Sequence, residues 1–272
     1  MSCSPTLMLE HFSFQYPFTH NPALNDISFR LLPGKTLGII GPSASGKTSL
    51  LYAIAGILQK HFPAGITSGT IARDGTQPVV NPSEIGFVFQ DPYMQLSGVT
   101  ETVETEIAFS LEQLAIPQHI IRARIDEQIS QFQLGHLALR HPRSLSGGET
   151  RLLALACETA KHPRWLLLDQ PTESLHSEGI RFLTTLLNAL KLTTNIIMVD
   201  HRLEVIAAVC GRVLFLHHGE QQFFGTPPEL FTSAIDTNEL DIPLWIDAQR
   251  QLTGRAETLL YRKSLRMLQQ WH

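Results

Sequence analysis

Short apolar runs alternate along the chain with longer amphipathic stretches. Thr36 to Ile40 (TLGII) is an apolar run that ends at Gly41, and Thr48 to Leu58 follows with its apolar positions at helical spacing. This predicts strand, tight loop and helix, which is half of a βαβ unit. Trp165 to Leu168, Asn195 to Val199 and Arg212 to Leu216 are further continuous apolar runs, with a helical stretch near Gly179 to Leu192 between the first two. Strands buried on both faces of a parallel sheet have this pattern. Met8 to Phe14 and Ile27 to Leu31 instead alternate with period two, as half-buried antiparallel strands do. Between Gln90 and Trp165 the pattern changes to more polar helical segments, Thr102 to Leu114 and Ile120 to Phe132, broken by Pro117 and Gly135. The expected fold is α/β: a mainly parallel sheet, an N-terminal antiparallel β-layer and an inserted helical subdomain. Beyond a turn at His218 and Gly219, a last helix over Ala256 to Trp271 places Leu260, Tyr261, Leu265, Met267, Leu268 and Trp271 on one arc. Arg262, Lys263 and Arg266 fall on the other, so the apolar arc suits packing on the protein's own body or on a partner.

Composition narrows this picture without changing it. With 272 residues, 43% hydrophobic and 17% charged, the chain holds enough apolar material for one large α/β unit with an insertion, and too much for a disordered protein. A net charge of −4 lacks the strong basic excess of a dedicated nucleic-acid binder. Cys3, Cys157 and Cys210 are an odd number at wide spacing, with no CxxC pair, which fits a reducing cytosol. No window of about 18 uninterrupted apolar residues exists, and Met1 to Glu10 lacks the basic and apolar regions of a secretory signal. Any link to a membrane is expected to run through partners.

The first chemistry lies in the loop after TLGII. Gly41-Pro42-Ser43-Ala44-Ser45-Gly46-Lys47-Thr48, followed by Ser49, matches GxxxxGK[ST] between a predicted strand and a predicted helix, the context that a phosphate-binding loop requires. Successive backbone N–H groups and the positive end of the following helix would wrap a polyphosphate. Lys47 would reach the β and γ phosphates and Thr48 would ligate Mg²⁺. Trp165-Leu166-Leu167-Leu168-Asp169 is an apolar strand ending in a carboxylate, and its place downstream of a phosphate loop makes Asp169 a second Mg²⁺ ligand.

Leu145-Ser146-Gly147-Gly148-Glu149, ahead of a helix over Thr150 to Lys161, decides the family. Here the chain resembles the ABC-type ATPases, whose hallmark is LSGGQ, with Glu149 where Gln is usual. The resemblance spans nearly the whole sequence. It implies a P-loop core at residues 1–90 and 164–225, a helical subdomain at 91–163 and a tail at 226–272. It implies ATP and Mg²⁺ as ligands, with Ser146, Gly147 and Gly148 forming a second anion-binding nest. Tyr16, 25 residues before Gly41, is similar to the aromatic that stacks on adenine, an ordinary strand tyrosine being the alternative. Gln90 resembles the glutamine that touches Mg²⁺ or the attacking water, and His201 resembles the histidine that contacts the γ-phosphate. The segments Gln90 to Leu96, Thr102 to Phe109 and Asp200 to Glu204 are most similar to energy-coupling-factor and cobalt-type importers. That implies a second ABC ATPase subunit and integral membrane subunits as partners, no nucleic acid, and a peripheral position on the cytoplasmic face of the cell membrane.

Two positions depart from the family pattern. Gln170 follows Asp169 where a glutamate usually polarises the attacking water, and His176 replaces an acidic residue in Glu173-Ser174-Leu175-His176. An amide has nearly the shape of a carboxylate but cannot take a proton, so ATP would bind while hydrolysing slowly. Since the resemblance implies head-to-tail dimers, Gln170 would mute the site on this chain's own loop while Ser146 to Gly148 complete an active site on a partner's loop. This favours a heterodimer with an intact homologue; a homodimer would carry Gln170 in both sites and turn over poorly. The rival reading is a non-hydrolysing regulatory or interaction protein that uses ATP as an assembly ligand. A soluble ABC protein of DNA repair or translation is disfavoured by the single cassette and the negative charge.

Overall fold

The computed structural model describes residues 7–232 apart from 33, 113 and 115. The expected helix over Ala256 to Trp271, and Cys3, lie outside the described residues. The chain divides into two compact units, one holding the described residues up to Pro78 and from Val199 onward, the other Val79–Met198.

The first unit opens with strands β1 (Leu7–Gln15) and β2 (Leu24–Leu31), then β3 (Leu37–Ile40), helices α1 (Lys47–Ala55) and α2 (Ile57–His61), and strand β4 (Ile66–Arg73). β1 pairs antiparallel with both β2 and β4, so the expected antiparallel layer forms, with one more strand than the pattern foretold. β1 buries Leu7, Leu9, Phe12 and Phe14. The alternation skips a beat where the register shifts and His11 takes a φ of 50°, as a bulge requires. β4 escaped the sequence reading because its first five residues are exposed and lend it no apolar alternation. The helix expected over Thr48 to Leu58 is two helices. Gly56 at φ 82° ends α1, and its N–H donates to the Ala53 carbonyl at 3.1 Å, closing the last turn.

The second unit contains β5 (Ile85–Val88), α3 (Val103–Glu112), α4 (Gln118–Gln131), α5 (Gly147–Ala160), β6 (Trp165–Asp169), α6 (Ser177–Leu190) and β7 (Asn195–Val199). Its strands lie in the order β7-β6-β5, with β5 and β6 parallel from Ile85 opposite Trp165 to Val88 opposite Leu168. β6 is buried throughout, as its unbroken apolar run demands. The inserted helices α3, α4 and α5 pack on one another, and α5 buries Leu153, Ala154, Leu155 and Ala156 completely.

Back in the first unit come α7 (Leu203–Val209), β8 (Arg212–His217), β9 (Glu220–Gly225) and α8 (Pro227–Thr232). β8 runs parallel to β3 and antiparallel to β9, giving the order β4-β1-β2-β9-β8-β3. The expected turn at His218 and Gly219 is a two-residue hairpin, both residues at positive φ (49° and 80°), which matches the twist of its strands. Gly219 donates its N–H to the Ser45 carbonyl at 3.1 Å and accepts from Asn25 N–H at 2.8 Å, tying the hairpin to the loop ahead of α1. Among the described residues no helix is long and apolar enough to cross a membrane.

Candidate nucleotide-binding site

The loop between β3 and α1 is built to receive an anion. α1 starts at Lys47 with Gly46 as its cap and no side-chain hydrogen bond from that cap, and the positive end of a helix dipole favours an anion there. Gly46 sits at φ 97°, and a Cβ on it would lie 2.5 Å from the Ala23 carbonyl oxygen, which excludes any other residue. A Cβ on Gly41 would meet the Leu216 carbonyl oxygen at 2.1 Å and the Ser45 hydroxyl at 2.6 Å. The Lys47 ammonium, on a buried side chain, donates to the carbonyls of Gly41 at 2.9 Å and Pro42 at 2.6 Å, which curls the loop around it. The Ser45 hydroxyl is buried and has no protein partner among the described residues. A helix start without a side-chain cap, a held ammonium and an orphaned buried hydroxyl fit a polyphosphate.

Beside the loop, Tyr16 donates or accepts a 3.1 Å hydrogen bond with the Ser49 hydroxyl. Its ring meets Phe14 and Phe62 edge-on, each at 4.9 Å between centroids. The tyrosine is thus held over the start of α1 by an aromatic cluster. His201 is exposed just after β7, and the buried Asp200 carboxylate accepts the Arg202 N–H at 2.9 Å, fixing the turn that carries the histidine.

In the second unit the structure brings Gln90 and Gln170 together. β5 and β6 are parallel neighbours, so the residues beyond their C-terminal ends project from the same edge. The Gln90 amide donates to the Gln170 side-chain oxygen at 3.3 Å. Gln170 has φ 50°, a left-handed conformation stored directly after the buried Asp169. His176 precedes α6 as its cap, is exposed and makes no capping hydrogen bond, whereas an aspartate there would be among the best caps.

Ser146 caps α5 and forms a capping box with Glu149: each side chain bonds the other residue's backbone N–H. Two residues that the sequence reading did not single out connect this helix to the Gln90 segment. Arg151, buried, donates to the Gln90 carbonyl at 2.8 Å. Glu158 accepts from Phe87 N–H at 3.2 Å and from the Gln95 amide at 2.8 Å, with Lys161 beside it at 2.7 Å. The signal was available: Arg151 and Glu158 stand seven apart, on one face of a helix, around the apolar run Leu152 to Cys157. α5 therefore holds the glutamine segment at both its ends.

Residues 24–173 match the ABC transporter family, more than half of the chain. The chain belongs to the ABC transporter family of ATP-binding proteins. It is 33% identical over 252 residues to the energy-coupling factor transporter ATP-binding protein EcfA1 of Lactiplantibacillus plantarum, covering 88% of this chain and 86% of that one. It resembles the solved structure of cbiO1 from Clostridium perfringens, part of the ABC transporter complex cbiONQ, with a TM-score of 0.74, 25% identity, and coverage of 91% of this chain and 95% of that one. In fold it also matches the dimeric ATP-binding cassette MJ0796 bound to ADP and Pi, with a TM-score of 0.69, 23% identity, and coverage of 81% of this chain and 98% of that one. Other curated ABC relatives are longer, and the chain spans 40% to 48% of their length. Its kinship within the ABC ATPases is thus to the energy-coupling-factor type.

Proposed function

We propose that this chain is the ATP-binding subunit of an energy-coupling-factor-type membrane importer, with a weakened hydrolytic site of its own. In this reading MgATP binding closes a head-to-tail pair of ABC subunits and hydrolysis reopens it. Residues Gly41 to Ser49 hold the phosphates through backbone N–H groups and the Lys47 ammonium, and Tyr16 faces the adenine. Thr48 and Asp169 are Mg²⁺ ligands, with Gln90 near the ion and the attacking water; the ion supplies charge neutralisation on the phosphates. His201 contacts the terminal phosphate. Ser146, Gly147 and Gly148 serve the nucleotide held by a second ABC subunit, and the helical segment 91–163 passes the motion to integral membrane subunits at the cytoplasmic face.

One observation carries the weakened-site part of this reading. The Gln170 side-chain oxygen accepts from the Gln90 amide at 3.3 Å, so two neutral amides stand at a place where the family has a carboxylate. Neither takes a proton from water near neutral pH. His176, exposed and uncapping, is a second departure in the next turn. Together they also favour the rival reading, an ABC protein for which ATP is an assembly ligand.

Mixing separates the two. Combined with a homologous ABC subunit that carries glutamate after its strand-ending aspartate, this chain is expected to give MgATP turnover well above the sum of the two proteins assayed alone. Its Ser146 segment then completes the partner's site. Turnover that merely adds would remove the heterodimer reading in favour of the assembly-ligand one.

A further inference from the structure

Glu149 stands where the family usually has a neutral glutamine, and its geometry shows what the charge does. One carboxylate oxygen accepts both the Ser146 backbone N–H and the Ser146 hydroxyl, each at 2.7 Å. The hydroxyl in turn accepts the Glu149 N–H at 3.4 Å. A serine hydroxyl has one proton to donate, and here the carboxylate takes it. Ser146 is exposed at the N-terminus of a fourteen-residue helix, where the helix dipole also favours a negative charge. Resting on the reading that Ser146 to Gly148 meet a second subunit's nucleotide, we propose that the Glu149 carboxylate is an internal occupant of the signature segment. It holds the two Ser146 donors that would meet the terminal phosphate, and so raises the threshold for closing on ATP.

Three features fit this role better than a simple helix cap. The bonded oxygen belongs to an anion, so it repels an approaching phosphate as well as competing with it for donors. The Ser146 hydrogen bonds hold the Glu149 carboxyl below the usual carboxylate range, with Arg140 and His136 adding to the effect, so the charge persists at neutral pH. A glutamine at 149 would accept the same backbone N–H and preserve the capping box, but without the charge. Glu149 is therefore a positioning residue: it acts on the reaction through Ser146.

The test is the self-association of the full chain, followed by sedimentation against protein concentration in MgATP and in MgADP. Wild type is compared with Glu149→Gln, with wild type in the absence of nucleotide, and with Lys47→Ala as the weak-binding control. The slow hydrolysis expected of Gln170 favours accumulation of the ATP-bound pair. Glu149→Gln is expected to associate in MgATP at roughly tenfold lower protein concentration, the weight of one charge-assisted hydrogen bond. In MgADP, which lacks the terminal phosphate, the two proteins should associate alike, with Glu149→Gln melting slightly lower because it loses the charge at the helix start. Equal or weaker association of Glu149→Gln in MgATP would overturn the proposal while leaving the head-to-tail reading intact. So would a gain that is the same in MgADP, since that is what an altered helix cap alone produces. If neither protein associates in MgATP beyond the Lys47→Ala control, closing between copies of this chain fails and the proposal falls with it, while the head-to-tail reading with a homologue is decided separately by the mixing experiment.

Discussion

Gln170→Glu is expected to raise steady-state MgATP turnover by about 10²- to 10⁴-fold, the usual weight of a positioned general base. The substitution keeps the size of the side chain and the oxygen that accepts from Gln90 at 3.3 Å, so the local geometry has little reason to change. What changes is the ability to take a proton from water beside the terminal phosphate. Gln170 already sits at φ 50°, a conformation that glutamate tolerates no worse than glutamine, so the folded state gains no new strain. ATP affinity should stay close to that of wild type, because the proposed phosphate contacts lie in the loop at Gly41 to Lys47, which the substitution leaves unchanged. The check is a pair of initial-rate curves on matched preparations. Identical maximal rates would show that the missing carboxylate is not what limits this chain.

Lys47→Ala should weaken MgATP binding by roughly 10- to 100-fold or more, since it removes a charge-assisted donor from the phosphates. The ammonium also donates to the Gly41 and Pro42 carbonyls, at 2.9 and 2.6 Å, so the empty loop loses the group around which it curls. The two effects add in the same direction. A titration with a fluorescent ATP analogue reads the affinity, and circular dichroism confirms that the sheet survives. Lys47→Arg is not a neutral control, because a planar guanidinium does not fit the buried position of a slender ammonium. Unchanged affinity in Lys47→Ala would mean that the loop does not bind phosphate.

Much of this was legible from the residues because the strongest signals were also the buried ones. TLGII, WLLLD and NIIMV are continuous apolar runs, and each became a strand buried nearly throughout. The tight turn from β3 to α1 was legible because Gly41 and Gly46 stand where the backbone leaves no room for a Cβ. The edge strand β4 was not, since five of its eight residues face solvent and carry no pattern. β5 was hidden by its length, four residues with a glycine among them, and β9 by its polar start, Glu220-Gln221-Gln222. Helical spacing alone ran straight through Gly56, where the backbone turns left-handed and the helix stops. The ties from Arg151 and Glu158 to the Gln90 segment join residues 61 and 71 positions apart, and no local pattern reports such partners. Glu149 lay in plain view as one departure from LSGGQ, but only its distances to Ser146 showed which donors it holds.

The most direct measurement is MgATP affinity and steady-state turnover on one preparation of the wild-type chain alone. Saturable MgATP binding with turnover near background is the expected result, because the loop at Gly41 to Ser49 is intact while Gln170 cannot accept a proton. Turnover of about 10 s⁻¹, ordinary for an enzyme, would contradict the weakened site, and absence of MgATP binding would contradict the nucleotide site itself.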